Sequence, residues 1–109
     1  MDAITSADNT TAVGSSAGTA VTTGSENTFI GSLAGATTAS GSKCTAVGYK
    51  ALTTHNDNAY NVAVGGNALE DCTGGYNSTL GYRAGGEVIG GQYNTLLGHT
   101  AGDNITTGD

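Results

Sequence analysis

Six glycines stand at an almost constant interval along the chain: Gly14, Gly31, Gly48, Gly65, Gly81 and Gly98. The spacings are 17, 17, 17, 16 and 17 residues. Three residues after each stands an alanine: Ala17, Ala34, Ala51, Ala68, Ala84 and Ala101. One residue before each stands a branched aliphatic: Val13, Ile30, Val47, Val64, Leu80 and Leu97. A fixed period over nearly the whole chain defines a repeat architecture, in which one small unit stacks on copies of itself. Such a chain has little room for a unique catalytic constellation.

The rest of the composition agrees with stacking. The chain has 109 residues, with 19 glycines, one phenylalanine, and neither proline nor tryptophan. Large side chains are too few for a conventional globular core. Disorder does not fit either, because disordered chains are rich in charge and do not hold β-branched residues in register. Only 11% of residues are charged. Small residues at fixed intervals instead imply thin coils lying close upon one another.

Within the repeat, the residue four before each glycine is Thr10, Asn27, Cys44, Asn61, Asn77 or Asn94. Then come Thr11, Thr28, Thr45, Val62, Ser78 or Thr95, followed by Ala12, Phe29, Ala46, Ala63, Thr79 or Leu96. This short β-branched run reads as a strand of about four residues, ended by the glycine. The alanine is expected to point inward, where only a methyl fits. Seven residues past the glycine, Val21, Thr38, His55, Cys72, Val88 and Ile105 suggest a second short strand. A turn follows at Gly24, Gly41, Asn58, Gly74, Gly91 and Gly108, residue types that enter left-handed conformations cheaply. Residues 1–9 read as an N-terminal partial coil, of which 1–8 lie outside the residues described below. Residues 10–109 form one repeat domain, with coils starting near 10, 27, 44, 61, 77 and 94. With strands about 4.8 Å apart, six coils make a rod of roughly 30 Å. The stacked Asn27, Asn61, Asn77 and Asn94 are expected to exchange side-chain amide hydrogen bonds along the rod, with Cys44 as an interruption. A helix is excluded, since each internal glycine would cost about 1 kcal/mol and no 3.6-residue period is sustained.

The segments Thr45-Ala46-Val47-Gly48-Tyr49-Lys50-Ala51-Leu52 and Asn61-Val62-Ala63-Val64-Gly65-Gly66-Asn67-Ala68-Leu69 resemble the N-T-A-V-G-x-x-A-L repeats of bacteriophage and large-virus tail fibres. They are also similar to the head repeats of trimeric autotransporter adhesins, which have a shorter period. The resemblance covers residues 10–109. It implies an all-β fold, a parallel β-solenoid or left-handed β-roll of six coils, built as an intertwined or side-by-side homotrimer. In that arrangement the aliphatic and alanine columns would be buried between chains. It also implies a virion, extracellular or cell-surface location. The chain starts and stops in mid-repeat, which suggests a piece of a longer fibre or a unit that stacks end to end.

The nine acidic and three basic residues give a net charge of -6. No basic stripe exists to neutralise phosphates, which argues against nucleic acid and anionic membranes. No apolar run reaches membrane-spanning length. Met1-Asp2-Ala3-Ile4 lacks the basic start and apolar stretch of a signal peptide, as a mature extracellular fragment or virion protein would. Cys44 and Cys72 occupy different repeat positions and read as buried, unpaired thiols.

Candidate binding residues are aromatic. Tyr60, Tyr76 and Tyr93 each precede a repeat-start asparagine and should form an exposed ladder on one edge. Tyr49, Tyr82 and His99 share the slot after the glycine. Such a stripe could engage a host glycan or receptor, or could serve only to stack and shield the coil edge. Three His55 rings converging in a trimer could hold a metal or anion, but no zinc-type spacing supports a metal site, and no metal or other cofactor is expected. Asp57, Glu70, Asp71 and Asp103 do not form the nonapeptide of calcium-binding β-rolls. No nucleophile elbow or phosphate-binding loop is present, so the chain reads as non-enzymatic. Ice binding by the threonine column is a weaker alternative, because Val62 and Ser78 break the column and the adjoining slot holds Ala, Phe and Leu. The expectation is therefore a structural fibre or adhesin segment whose partner is itself. A tyrosine-edged binding module and a self-assembling filament subunit are the alternatives.

Overall fold

A computed structural model describes residues 9–54 and 59–108. Each repeat contributes one strand: β1 (Thr11–Val13), β2 (Thr28–Ile30), β3 (Thr45–Val47), β4 (Val62–Val64), β5 (Ser78–Leu80) and β6 (Thr95–Leu97). They form one parallel sheet in sequence order. Like slots pair throughout, so that Thr11 lies opposite Thr28, Ala46 opposite Ala63 and Leu80 opposite Leu97. The molecule is a β-solenoid with five full turns from the first strand to the last, and its long axis spans 33 Å. The 16-residue repeat does not disturb the register of β4 with β5.

Two local expectations are corrected. Each strand has three residues, not four. The second strand is absent among the described residues, apart from one parallel bridge between Thr54 and Asp71. That bridge lies beside the expected column, seven past the corner glycine, and the chain approaches it through left-handed backbone. Two and four residues past the corner glycine, φ is positive in every coil, as at Lys50 (φ 54°) and Leu52 (φ 53°). The segment between the corner glycine and that column therefore turns instead of extending. Coil-to-coil bonding continues there without a strand: the Gly35 N–H donates to Ala51 O at 3.0 Å, and the Leu52 N–H to Ala68 O at 2.9 Å.

Strand pleating separates the side chains. The middle residue of each strand points inward, so Phe29, Ala46, Ala63 and Thr79 are buried. The alanine column (Ala17, Ala34, Ala51, Ala68, Ala84) lies in the same core, with Leu52, Leu69, Val21, Cys72 and Val88. The coil therefore closes on its own alanines, which need no partner chain. The branched aliphatics are the opposite case. Val13, Leu80 and Leu97 are 58%, 52% and 74% exposed. Both columns were expected between chains; only the aliphatic one is free for such a contact, because it alternates with the inward slot by one residue.

The corner glycine has a steric reason. At Gly65 the backbone has φ +135°, and a Cβ there would stand 2.4 Å from Gly81 O of the next coil. Side chains are incompatible with both facts.

The asparagines do not bond mainly to one another. Asn27 Nδ2 donates to Gly41 O, Asn61 Nδ2 to Gly74 O and Asn77 Nδ2 to Gly91 O, each at 2.9 Å. Each side chain thus ties its strand start to the turn that ends its own coil. The amide oxygen then accepts from the backbone N–H of the same slot in the next coil, as in Cys44 N to Asn27 Oδ1 and Asn77 N to Asn61 Oδ1, both 2.9 Å. Asn94 Nδ2 to Asn77 Oδ1, at 3.0 Å, is an amide-to-amide bond of the expected kind. A buried backbone carbonyl has a stronger claim on the donor, because leaving it unpaired costs about 1–3 kcal/mol.

Candidate functional site: the outer face of the sheet

Reading β5 with its flanks shows how the face is built. Tyr76, Ser78, Leu80 and Tyr82 are exposed, and Asn77 and Thr79 are buried between them. The same alternation in each repeat gives four outward columns. The threonine-type column (Thr11, Thr28, Thr45, Val62, Ser78, Thr95) and the aliphatic column run side by side down the middle. Tyr60, Tyr76 and Tyr93 stand along one margin, and Tyr49, Tyr82 and His99 along the other. Over β4 to β6 the middle columns leave a shallow apolar depression of about 320 Å³, lined by Val62, Val64, Leu80 and Leu97 among others.

The tyrosine ladder is stacked. Ring centroids of Tyr60 and Tyr76 are 5.0 Å apart with planes 7° off parallel; Tyr76 and Tyr93 are 5.0 Å apart at 14°. Each ring sits on a residue with left-handed backbone (φ 64°, 62° and 58°), which places successive rings one above another. Lys43 ends the ladder, its Nζ 5.2 Å from the Tyr60 ring centroid and 3.3 Å from the Tyr60 hydroxyl. That hydrogen bond raises the Lys43 pKa above its ordinary value. The stacking covers the ring faces of Tyr76 on both sides, so edges and hydroxyls are what this margin offers to a ligand. On the other margin Tyr82 stacks on His99 at 5.4 Å, and Lys50 Nζ lies 5.9 Å from the Tyr49 ring centroid.

Ion pairs lie beyond this margin, off the face. Lys50 meets Glu70 at 3.1 Å and Arg83 meets Asp103 at 3.2 Å, each cation reaching the following coil. The hydrogen bond to the carboxylate raises each cation's pKa. Asp71 carries the Thr54 bridge noted above. No group of three or more metal-ligating side chains occurs among the described residues. His55, Asp57 and Asn58 lie outside them. Cys44 and Cys72 are buried free thiols, and burial raises both pKa values, that of Cys72 to about 11.

The outward placement of the aliphatic column is the functional feature that the repeat reading missed. It also changes the ice-binding argument. The Ala, Phe and Leu slot that counted against a flat threonine face is inside the coil, and the true outward neighbour of the threonine column is the aliphatic one. The signal was present as strict alternation from Tyr76 to Leu80, a period of two inside a period of seventeen.

Fold and face together define a parallel β-solenoid with one apolar, aromatic-bordered flank. Comparison with known proteins adds nothing to that class: no protein-family model, no curated protein and no solved structure matches this chain.

Proposed function

We propose that the chain is a structural segment of a fibre or adhesin, and that it works by associating with copies of itself through the outer face of the sheet. One observation carries this reading. Every large exposed hydrophobic side chain among the described residues, except Ile89, lies on that face or its margins. A contiguous apolar surface of this kind on a rod 33 Å long favours burial against a partner. A fibre is assembled from such rods side by side, each held rigid along its axis by backbone hydrogen bonds. The sequence resemblance supports three chains and a virion or cell-surface setting. No catalytic or cofactor role enters this reading.

Absolute mass by light scattering across a hundredfold concentration range tests it. Three chains at every concentration is the expected result. A single chain at every concentration would overturn it, and mass climbing with concentration would favour an end-to-end filament instead. A glycan-binding role has less geometric support, since ring faces that would stack on a sugar are largely used within the ladder.

A further inference from the structure

Gly66 is a glycine that the chain itself does not require. Its φ is outside the positive range that marks the corner glycines. A Cβ built there meets nothing closer than Tyr82 Cδ2 at 3.4 Å, an ordinary contact. Yet it leaves a gap in an aromatic column, between Tyr49 one coil above and Tyr82 one coil below. The Tyr82 ring of the same chain lies over one side of this position, and the rest of it faces outward between the two aromatic side chains.

We propose that Gly66 receives Tyr60 of a neighbouring copy, as one rung of a seam in which the tyrosine-ladder margin of one chain packs on the Tyr49/Gly66/Tyr82/His99 margin of the next. The inference rests on the self-association reading above and names its contact. A cyclic assembly of parallel rods turns about an axis along the rod, so every coil faces its own counterpart at the same height. In such a ring one margin of a chain meets the opposite margin of its neighbour. Height is set by the strands, which gives the rungs directly. At β2 Glu26 faces Ser32; at β3 Lys43 faces Tyr49; at β4 Tyr60 faces Gly66; at β5 Tyr76 faces Tyr82; at β6 Tyr93 faces His99.

The pairs are complementary at each level. The one coil with no side chain on the receiving margin is the coil where the tyrosine ladder begins. The cation that ends the ladder, Lys43, faces the ring of Tyr49, an arrangement that favours a cation–π contact. Below it, two rungs are aromatic against aromatic. No rung from β2 to β6 sets like charges together. Tyr49, Tyr60, Tyr76 and Tyr82 are each about half exposed in the single chain, so they are free to make these contacts.

Two variants test the seam. Gly66→Tyr completes the column within the chain and removes the space for Tyr60 of the neighbour. The variant is expected to fold with the parent's circular dichroism and to associate at least tenfold more weakly by sedimentation. Association equal to the parent's would overturn the seam. Tyr60→Cys combined with Gly66→Cys checks the contact without relying on a bulky substitution. The two positions lie on opposite margins of one coil, too far apart to bridge within a chain. Mild oxidation is expected to give covalently linked chains from the double variant and none from either single variant. A parent that associates while the double variant gives no linked chains would refute the seam and leave the self-association reading standing. A parent that stays a single chain would refute both.

Discussion

The Phe29 ring occupies the space that a side chain at Gly35 would need: a Cβ there would stand 2.5 Å from both Cδ1 and Cε1 of the ring. The match recurs in four of the six coils. Phe29 lies between Gly18 and Gly35, and Leu96 packs against Gly85 and Gly102. Where the same slot holds Leu52 and Leu69, the strands carry Ala46 and Ala63. In four coils a large residue in one slot thus meets a small one in the other; Ala12 with Gly18 and Thr79 with Gly85 are small in both, and there Phe29, or Leu69 and Leu96, of the adjoining coils reach into the space.

Gly35→Leu alone is expected to destabilise by about 3 kcal/mol, the upper end of overpacking costs. Phe29→Ala alone leaves a cavity and is expected to cost about 3–5 kcal/mol. The double variant recreates the Ala46–Leu52 arrangement, in which leucine adopts the left-handed backbone (φ 53°). It is expected to lose at least about 2 kcal/mol less than the sum, read from denaturant unfolding as a double-mutant cycle. Additive losses would show that the slots do not share one volume.

The corner glycines carry an internal control. Gly65 and Gly98 have similar backbone angles (φ +135° and +122°), but a Cβ at Gly98 meets nothing within 4 Å among the described residues. Gly98→Ala therefore bears the backbone strain alone, about 1–3 kcal/mol. Gly65→Ala adds a collision with Gly81 O and is expected to cost at least about 1–3 kcal/mol more than Gly98→Ala. Equal losses in melting temperature would show that the next coil's carbonyl is not what selects glycine.

Asn77 is bonded through both the donor and the acceptor of its side-chain amide. It donates to Gly91 O and accepts from the Asn94 N–H and Asn94 Nδ2. Asn77→Ala orphans a buried carbonyl and a backbone N–H, and is expected to cost about 2–4 kcal/mol. Asn77→Asp keeps the acceptor and loses the donor, so it should fall no less far at neutral pH. Denaturant midpoints decide this. A change within experimental error in the alanine variant would remove the asparagines from the account of coil closure.

Buried Cys72 predicts the alkaline limit of the fold. Burial raises its pKa from 9.0 to about 11, so the folded state holds the thiol proton more tightly than the unfolded chain does. The stabilising proton is fully in place below pH 9 and is lost as pH rises through about 11. Stability should fall across that window by on the order of 2 kcal/mol, from the thiol alone. Cys72→Val, the residue type found in this column at Val21 and Val88, should flatten that part of the curve. An unchanged slope would place the alkaline transition elsewhere.

Much of this was legible in the period. Six strands, their parallel order and the in-register pairing follow from Gly14 to Gly98 alone, because an integral repeat in a parallel stack fixes the register. The exposed tyrosine ladder followed from three residues in one slot. What escaped was conformation inside the repeat. Lys50, Leu52 and Tyr76 are not residues that advertise left-handed backbone, so the turns they make went unread, and the half-apolar column from Val21 to Ile105 read as a second strand. The direction of the aliphatic column was missed for a different reason. A branched aliphatic beside a glycine reads as core, and only the strand's alternation, Asn77 and Thr79 inside with Ser78 and Leu80 outside, sends it to the surface. The donor choice of the asparagines depends on carbonyls fourteen residues away, such as Gly41 for Asn27, which no local pattern reveals.

The central proposal is a division of labour in which alanines close each coil and the outward aliphatics serve to join one chain to another. Val64→Lys combined with Leu80→Lys tests it most directly, with mass by sedimentation and thermal melting by circular dichroism measured on the same sample. The account predicts folded β-rich single chains, where the parent gives a constant multi-chain mass. A variant of unchanged mass would contradict the claim, because the outer face would then not be the surface that joins the chains.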